Sequence, residues 1–365
     1  MPNKLKTKRI DKLPLISFCI ATYKRSELLR ETLGSIIDQT YKNYEVIVSD
    51  NDPQGSSKKI VNSFKSRKII YKKNKENIGA IKNFNKAISY AKGDFIVLLS
   101  DDDPVKTTML KTLVDVYLRY PEYDSYYGAC YLLIKDKKML KAYGLKNQKT
   151  SMLNKLKKNN EISLLNPEIF LNQFLKNEIF PYFWWSTGMV TNKLLKRIGG
   201  MPEYNSVFFT DYALIGLIGI HGKMAVINNE VGSQGIHMSN SLRSKDDLLK
   251  LNLGIKGYYS LMNPVAKKYH CQKELEIFIS TWVCNHLLGL KKMQENGIDL
   301  NLDKKFLKKI FDDSCKSFSF IKNKRIEFNL RLIFPLFFDN YFFLLRYANF
   351  NTTKKIVKFL SHEKI

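Results

Sequence analysis

From residue 13 onward the chain alternates short apolar runs with stretches whose apolar positions recur every three or four residues. The run at 15–21 ends in a polar exit, Thr22-Tyr23-Lys24-Arg25-Ser26. Leu28, Leu29, Leu33, Ile36 and Ile37 follow on one helical face. Runs at 44–49, 69–71 and 95–99 read as three further strands. Between them, Ile60, Val61 and Phe64 mark a second helix. Ile81, Phe84, Ala87, Ile88 and Ala91 mark a third, stopped by Gly93. This β-α-β-α-β-α-β order predicts a parallel sheet wound on both sides. Right-handed crossovers put every strand exit on one edge. Residues 22–25, Asp50-Asn51 and Asp101, Asp102 and Asp103 are therefore expected to meet.

Beyond residue 120 the pattern loosens. The aromatic run at 126–134 predicts a strand, the lysine-rich stretch 135–160 a loop, and 167–174 a helix. Strands are expected at 189–191 and 224–227, and helices near 193–198 and over 212–220. From about 244 helical patterns dominate, including 248–262 and 275–293, and the tail from 304 mixes Lys and Arg with Phe, Tyr, Leu and Ile. The expected organisation is a basic arm at 1–13, an α/β domain at 14–243 and a helical, basic-aromatic region at 244–365. The α/β domain has a donor half at 14–104 and an acceptor half at 105–243.

The most distinctive stretch is Phe-Ile-Val-Leu-Leu-Ser-Asp-Asp-Asp-Pro at 95–104. Five unbroken apolar residues suit a strand buried on both faces. Three adjacent carboxylates at its exit repel one another unless something positive lies nearby. A divalent metal is one compensation, since Mg²⁺ and Mn²⁺ favour hard oxygen ligands. Asp103-Pro104 also reads as an N-cap followed by proline opening a helix over 105–120, which uses only one of the three.

Hydrophobic content of 44% is ordinary, whereas a net charge of +26 is not, and it implies an anionic partner. Nucleic acid is one such partner, but that reading gives Asp101, Asp102 and Asp103 no purpose. The five cysteines are scattered, with no CxxC pair, so a disulfide framework or zinc site is not expected and a reducing compartment is. The first twelve residues are basic without an apolar core, and no apolar run approaches the roughly 18 residues of a membrane span. Gly-x-Gly-x-x-Gly, P-loop and His-Glu-x-x-His motifs do not occur.

Taken in order, Ile20-Ala21-Thr22-Tyr23-Lys24-Arg25, Glu45 to Asn51, Asn77-x-Gly79 with Asn85 and Ala87, Leu98 to Asp103, Thr187 to Met201 and Thr210-Asp211 resemble the motifs of family 2 inverting glycosyltransferases of the bacterial surface-polysaccharide type. The resemblance covers roughly residues 14–242. It implies a GT-A fold: a doubly wound mixed α/β sheet, here with a C-terminal helical extension. It also implies an Mn²⁺ or Mg²⁺ cofactor, a nucleotide-diphosphate sugar donor, and a saccharide acceptor linked to a polyprenyl diphosphate.

By that resemblance Asp211 is the catalytic base; its other reading is a cap on the helix at 212–220. Asp103 and His237 are metal ligands, although a lone His in a loop also reads as an ordinary hydrogen-bonded side chain. Asp101 or Asp102 meets the ribose or a metal-bound water, Asp50 accepts from the base, and Thr22, Tyr23, Arg25 and Asn51 line the nucleotide. Trp184, Trp185, Ser186, Thr187 and Gly188 form the acceptor side, with core packing the other reading of the tryptophans. Three positions depart from the family pattern. Ser100 replaces an aspartate, Thr210 a glutamate, and Phe84 a helix arginine for which Lys82 is the substitute. The basic-aromatic stretch 325–359 reads as an interfacial element on anionic lipid, giving a cytoplasmic protein peripheral to the inner membrane face.

Overall fold

The computed structural model describes residues 13–143, 145–151, 162–179, 183–237 and 244–333. The first four strands are β1 (Ile16–Thr22), β2 (Tyr44–Asp50), β3 (Ile69–Lys73) and β4 (Phe95–Ser100), alternating with α1 (Ser26–Ile37), α2 (Lys58–Ser63) and α3 (Ala80–Ser89). Next come α4 (Met109–Arg119), β5 (Ser125–Ile134), α5 (Lys137–Ala142), β6 (Lys149–Ser151), β7 (Ile162–Leu165) and α6 (Pro167–Leu175). β8 (Phe183–Thr191), α7 (Asn192–Arg197), α8 (Thr210–His221) and β9 (Met224–Ile236) complete the sheet region. Beyond it lie α9 (Lys245–Leu249), α10 (Leu251–Lys268), α11 (Gln272–Glu295), α12 (Lys304–Ser317), a 3-10 turn (Ser319–Lys324) and α13 (Arg325–Ile333).

The strands form one mixed sheet in the order β3-β2-β1-β4-β8-β5-β9-β7, with β6 on β5. The first four are mutually parallel, as the alternation predicts. β8 enters antiparallel to both β4 and β5, and β9 runs parallel to β5. Side chains alternate faces along a strand. Phe18, Ile20, Val97 and Leu99 pack towards α1 and α4, while Cys19, Ile96 and Leu98 pack on the opposite face. That second core is continuous from Cys19 to Leu332 and takes in α6, α8, α10, α11 and α12. The C-terminal helices are thus built on the same hydrophobic core as the sheet.

Several expectations change. α4 begins at Met109 rather than after Pro104, because β9 reaches this segment: Val105 bridges Gly232, and the Lys106 amide donates to the Val231 carbonyl at 2.8 Å. β9 extends to Ile236, well past the apolar run at 224–227, since β5 supplies a partner across two register shifts. The stretch 135–160 is not all loop. Asp136 caps α5 by accepting from the Lys138 amide, and Met139 and Ala142 are buried beneath the lysines.

No helix among the described residues is long and apolar enough to cross a membrane. The apolar set expected on the membrane (Phe334, Leu336, Phe337, Phe338, Tyr341, Phe342, Phe343 and Leu345), the rest of 334–359, and the basic arm at 1–12 lie outside the described residues. Of the tail cations, Arg331 is buried rather than presented to a surface. Its Nη1 donates to Glu327 Oε1 and Asn285 Oδ1, both at 2.9 Å. Lys308 and Arg325 both pair with Asp312.

Burial would raise the Glu327 carboxyl, but Lys324 and Arg331 outweigh it and hold the group below its ordinary value. A depressed folded value stabilises the native state above the unfolded value and loses that effect as pH falls through the folded one. Wild type is therefore expected to be more stable than Glu327→Gln at neutral pH, with the gap closing as pH drops below about 4.5. Urea unfolding midpoints measured across that range check this.

Candidate active site

The exits of β1, β2 and β4 are level in register: Thr22 lies opposite Asp50, and Ala21 opposite Ser100. Asn83 of α3 ties two of these exits together. Its Nδ2 donates to the Ser49 carbonyl at 2.9 Å and the Thr22 carbonyl at 3.3 Å. Its Oδ1 accepts from Ser49 Oγ at 2.7 Å and Asn74 Nδ2 at 2.8 Å. Asn51 continues the network, accepting from Asn74 Nδ2 and the Ile78 amide and donating to Asn77 Oδ1. Lys24, with a left-handed φ of 53°, turns the chain out of β1 so that Arg25 faces the acidic stretch.

Asp101, Asp102 and Asp103 are all buried, and each is held differently. Asp101 accepts from Thr22 Oγ1 at 2.7 Å and from Arg25 Nη1 at 3.4 Å. Burial and the neighbouring Asp102 push its carboxyl up to about 6 despite Arg25. Asp102 Oδ2 lies 2.6 Å from His237 Nε2 and 3.8 Å from Arg25 Nη1. Burial opposes its ionisation, yet His237, Ser100 and Arg25 hold its carboxyl below the usual carboxylate range. Asp103 accepts from Ser186 Oγ at 2.9 Å and from the Gly235 amide at 2.8 Å. Complete burial, then Asp102, raise its carboxyl well above normal. Gly235 is required here: a Cβ would sit 2.1 Å from the Asp102 carbonyl oxygen.

A cleft of about 700 Å³ opens in front of these exits. Thr22, Tyr23, Arg25, Asn51, Asp101, Asp102 and Asp103 line one side, and Trp184, Trp185 and Asp211 line it further along. Asp211 stands in the first turn of α8, where its Oδ1 accepts from the Tyr212 amide at 2.9 Å. Phe209 occupies the N-cap position without a side-chain cap, in a left-handed conformation with φ 64°, which costs about 1–3 kcal/mol for a non-glycine residue. Packing offsets that strain, since the Phe209 ring stacks on Tyr258 at 5.1 Å and meets Trp282 at 4.4 Å. α8 is apolar on nearly every side and lies so close to α6 that a Cβ on Gly219 would come within 2.3 Å of Phe170.

Other expected site residues are elsewhere. Asp50 is fully buried behind the cleft, its oxygens taken by the Asp52 and Ser57 amides and the Tyr71 hydroxyl. It closes its own loop rather than facing a ligand. Lys82 is exposed on α3 and is not part of the cleft wall, whereas its neighbours Ile81, Asn83 and Phe84 are. Ser186, Thr187 and Gly188 are not lining residues either. Ser186 holds Asp103, Thr187 Oγ1 donates to the Gly128 carbonyl at 2.8 Å, and Gly188 lies against the Tyr127 ring.

Among the described residues no group of three or more His, Cys, Asp or Glu side chains converges to hold a metal. Asp103 in particular is already engaged through both oxygens. Asp102 and His237, a carboxylate and an imidazole in contact, are donors of the kind a hard divalent ion takes. Mg²⁺ and Mn²⁺ sites commonly use one or two protein carboxylates and take the remaining ligands from phosphates.

The sequence reading missed part of the cleft wall. Tyr143 of the presumed loop, and Trp282, Asn285, His286 and Met293 of α11, also line the cleft. The available signal was the spacing of Trp282, Asn285 and His286 at i, i+3 and i+4 within the helical pattern expected at 275–293.

Comparison with known proteins adds a family. Residues 17–197 match the model described as glycosyl transferase family 2. The matched span includes the acidic stretch and ends before Asp211 and His237. Abequosyltransferase RfbV of Salmonella typhimurium is 34% identical over 116 residues, which is 28% of this chain and 35% of that protein. UDP-Glc:alpha-D-GlcNAc-diphosphoundecaprenol beta-1,3-glucosyltransferase WfaP of Escherichia coli is 34% identical over 102 residues, 28% of this chain and 41% of that one. The chain thus spans well under half the length of these curated relatives. Among solved structures, the mannosyltransferase PcManGT of Pyrobaculum calidifontis in complex with GDP-Man and Mn²⁺ overlays at a TM-score of 0.49. It is 14% identical, and the overlay covers 92% of this chain and 85% of that one.

Asn83 makes four hydrogen bonds that no apolar isostere can replace. Asn83→Leu is expected to lower unfolding free energy by about 2–3 kcal/mol, since buried Ser49 and Asn74 lose their partner. Urea denaturation followed by circular dichroism measures this.

Proposed function

This chain belongs to glycosyl transferase family 2, and we propose that it transfers a glycosyl residue, with inversion, from a nucleoside-diphosphate sugar to a hydroxyl of a saccharide acceptor. The observation that carries the reading is that the acidic stretch with Arg25 and the carboxylate of Asp211 line one cleft. Inversion requires a base on the attacking hydroxyl and a stabilised leaving group on the other side of the anomeric carbon. Asp211 is the base: a carboxylate within hydrogen-bond reach takes the hydroxyl proton as the new bond forms. Arg25 lies beside the carboxylates and offers positive charge to the departing diphosphate. Thr22, Tyr23 and Asn51 receive the nucleoside end, and Trp184 and Trp185 face the sugars.

Asp102 and His237 are the residues that would hold Mn²⁺ or Mg²⁺, in place of the Asp103 expected from sequence. Such an ion, when bound, supplies Lewis-acid neutralisation of the diphosphate. Asp103, raised and enclosed, instead fixes β4 to β8 and β9.

The acceptor is a saccharide on a lipid diphosphate, in the synthesis of a surface polysaccharide, at the cytoplasmic face of the membrane. The name of the Escherichia coli relative supports the lipid diphosphate, and the net charge of +26 supports an anionic surface.

Asp211→Asn keeps the side-chain size and removes the base. Transfer is expected to fall by about 10²-fold or more, while stabilisation by UDP or GDP with Mn²⁺ in a thermal-shift assay is unchanged. Loss of nucleotide binding together with rate would assign Asp211 a structural part instead. Asp102→Asn is expected to abolish the Mn²⁺-dependent part of nucleotide stabilisation, and Asp103→Asn to lower the melting temperature without removing it. The reverse pattern returns the metal to Asp103.

A further inference from the structure

α11, at 24 residues, is the longest helix among those described. Trp282, Asn285, His286, Gly289, Leu290 and Met293 line the cleft from it. Their spacing of i, i+3, i+4, i+7, i+8 and i+11 is a single helical stripe. Towards the start of the helix the same face continues at Leu275 and Ile279 into the core, which Val283 and Leu287 join from beside it. The stripe is graded. Beside Phe209 and Tyr212, which flank Asp211, it carries the Trp282 and His286 rings, stacked 4.5 Å apart at 8°, and the Asn285 carboxamide. Further along it is apolar, at Leu290 and Met293.

The Asn285 carboxamide is set by a buried ionic chain. Arg331 Nη1 donates to Asn285 Oδ1 and to Glu327 Oε1, and Lys324 Nζ lies 2.8 Å from Glu327 Oε2. A guanidinium is a donor only, so the oxygen of the carboxamide is the end turned to Arg331. Burying an arginine and a glutamate is costly and is repaid only by good geometry. Here one of the resulting hydrogen bonds reaches a residue of the cleft wall.

We propose that this stripe of α11 is the acceptor subsite of the transferase. A pyranose ring packs its C–H face against the Trp282 and His286 pair, and a hydroxyl or acetamido oxygen of that sugar accepts from Asn285 Nδ2. Arg331 of α13 is the positioning residue that sets the carboxamide. The inference rests on the transferase reading and deepens it: the described part of the C-terminal region selects the acceptor.

The test uses the full chain and saturation-transfer NMR with three probes: methyl β-glucopyranoside, methyl β-galactopyranoside and methyl N-acetyl-β-glucosaminide. A parallel thermal-shift titration uses UDP and GDP with Mn²⁺. At least one pyranoside is expected to bind wild type. Asn285→Ala is expected to weaken it about tenfold, as for one lost hydrogen bond, and Trp282→Ala by at least as much. Because Arg331→Met leaves a buried carboxylate that can impair folding, the neutral pair Glu327→Gln with Arg331→Met serves instead, with an expected loss of about threefold or more. Arg331→Lys, which keeps a donor beside Asn285, restores binding. Nucleotide stabilisation stays at the wild-type value in all of these. Pyranoside binding that survives Asn285→Ala, or no pyranoside binding while nucleotides still stabilise, overturns the subsite and leaves the transferase reading standing. If no nucleotide stabilises the chain, the transferase reading itself fails.

Discussion

Three carboxylates buried side by side at the end of β4 are the constraint around which the site is arranged. Removing them from water disfavours ionisation of each, and each ionised neighbour disfavours it further. The chain resolves this by giving the three different surroundings. Thr22 and Arg25 hold Asp101, His237 pairs with Asp102, and Ser186 with the Gly235 amide encloses Asp103. These partners come from β1 and its exit loop, from β8 and from β9 with the residue after it. The acidic stretch thereby joins the parallel half of the sheet to the antiparallel strand and the long β9 beyond it. Of the three, Asp102 is the one held below the usual carboxylate range, and it is the carboxylate in contact with an imidazole.

The opposite side of the cleft is made by packing rather than charge. α8 is buried on almost its whole surface, and its glycines let it approach α6 and α10 closely. This fixes the helix in place and brings Asp211, in its half-buried first turn, to the cleft. The left-handed Phe209 is tolerated because its ring is wedged between Tyr258 of α10 and Trp282 of α11. The C-terminal helices therefore support the turn that carries Asp211, line the cleft and extend the main core. Their connection to it explains why the hydrophobic cluster runs unbroken from Cys19 to Leu332.

The amphipathic order of the first hundred residues made the parallel half legible, because a period of two or of 3.6 is a local property of the chain. It also made the meeting of the exits legible, since crossover handedness leaves no alternative. The same reasoning did not reach the partners of Asp50 and Asp103. A carboxylate at a strand exit looks alike in sequence whether it faces a ligand or, as here, accepts from Ser57 and Tyr71 or from Ser186 and Gly235. Nor did it show that residues 186–188, which follow two cleft-lining tryptophans, turn into the sheet.

What the sequence determined by itself is the set of strands and helices up to β4, the placing of acidic groups on one edge, and the likeness to a glycosyltransferase family. These depend on neighbours in the chain and on a rule of handedness. What only the tertiary structure decided is how each aspartate is held, that Lys82 is outside the cleft, and that α11 forms part of its wall with Arg331 bonded to Asn285 behind it. Those outcomes depend on contacts between residues as far apart as Asp102 and His237 or Asn285 and Arg331. Their burial and pairing exist only once the sheet and the C-terminal helices have closed on a common core.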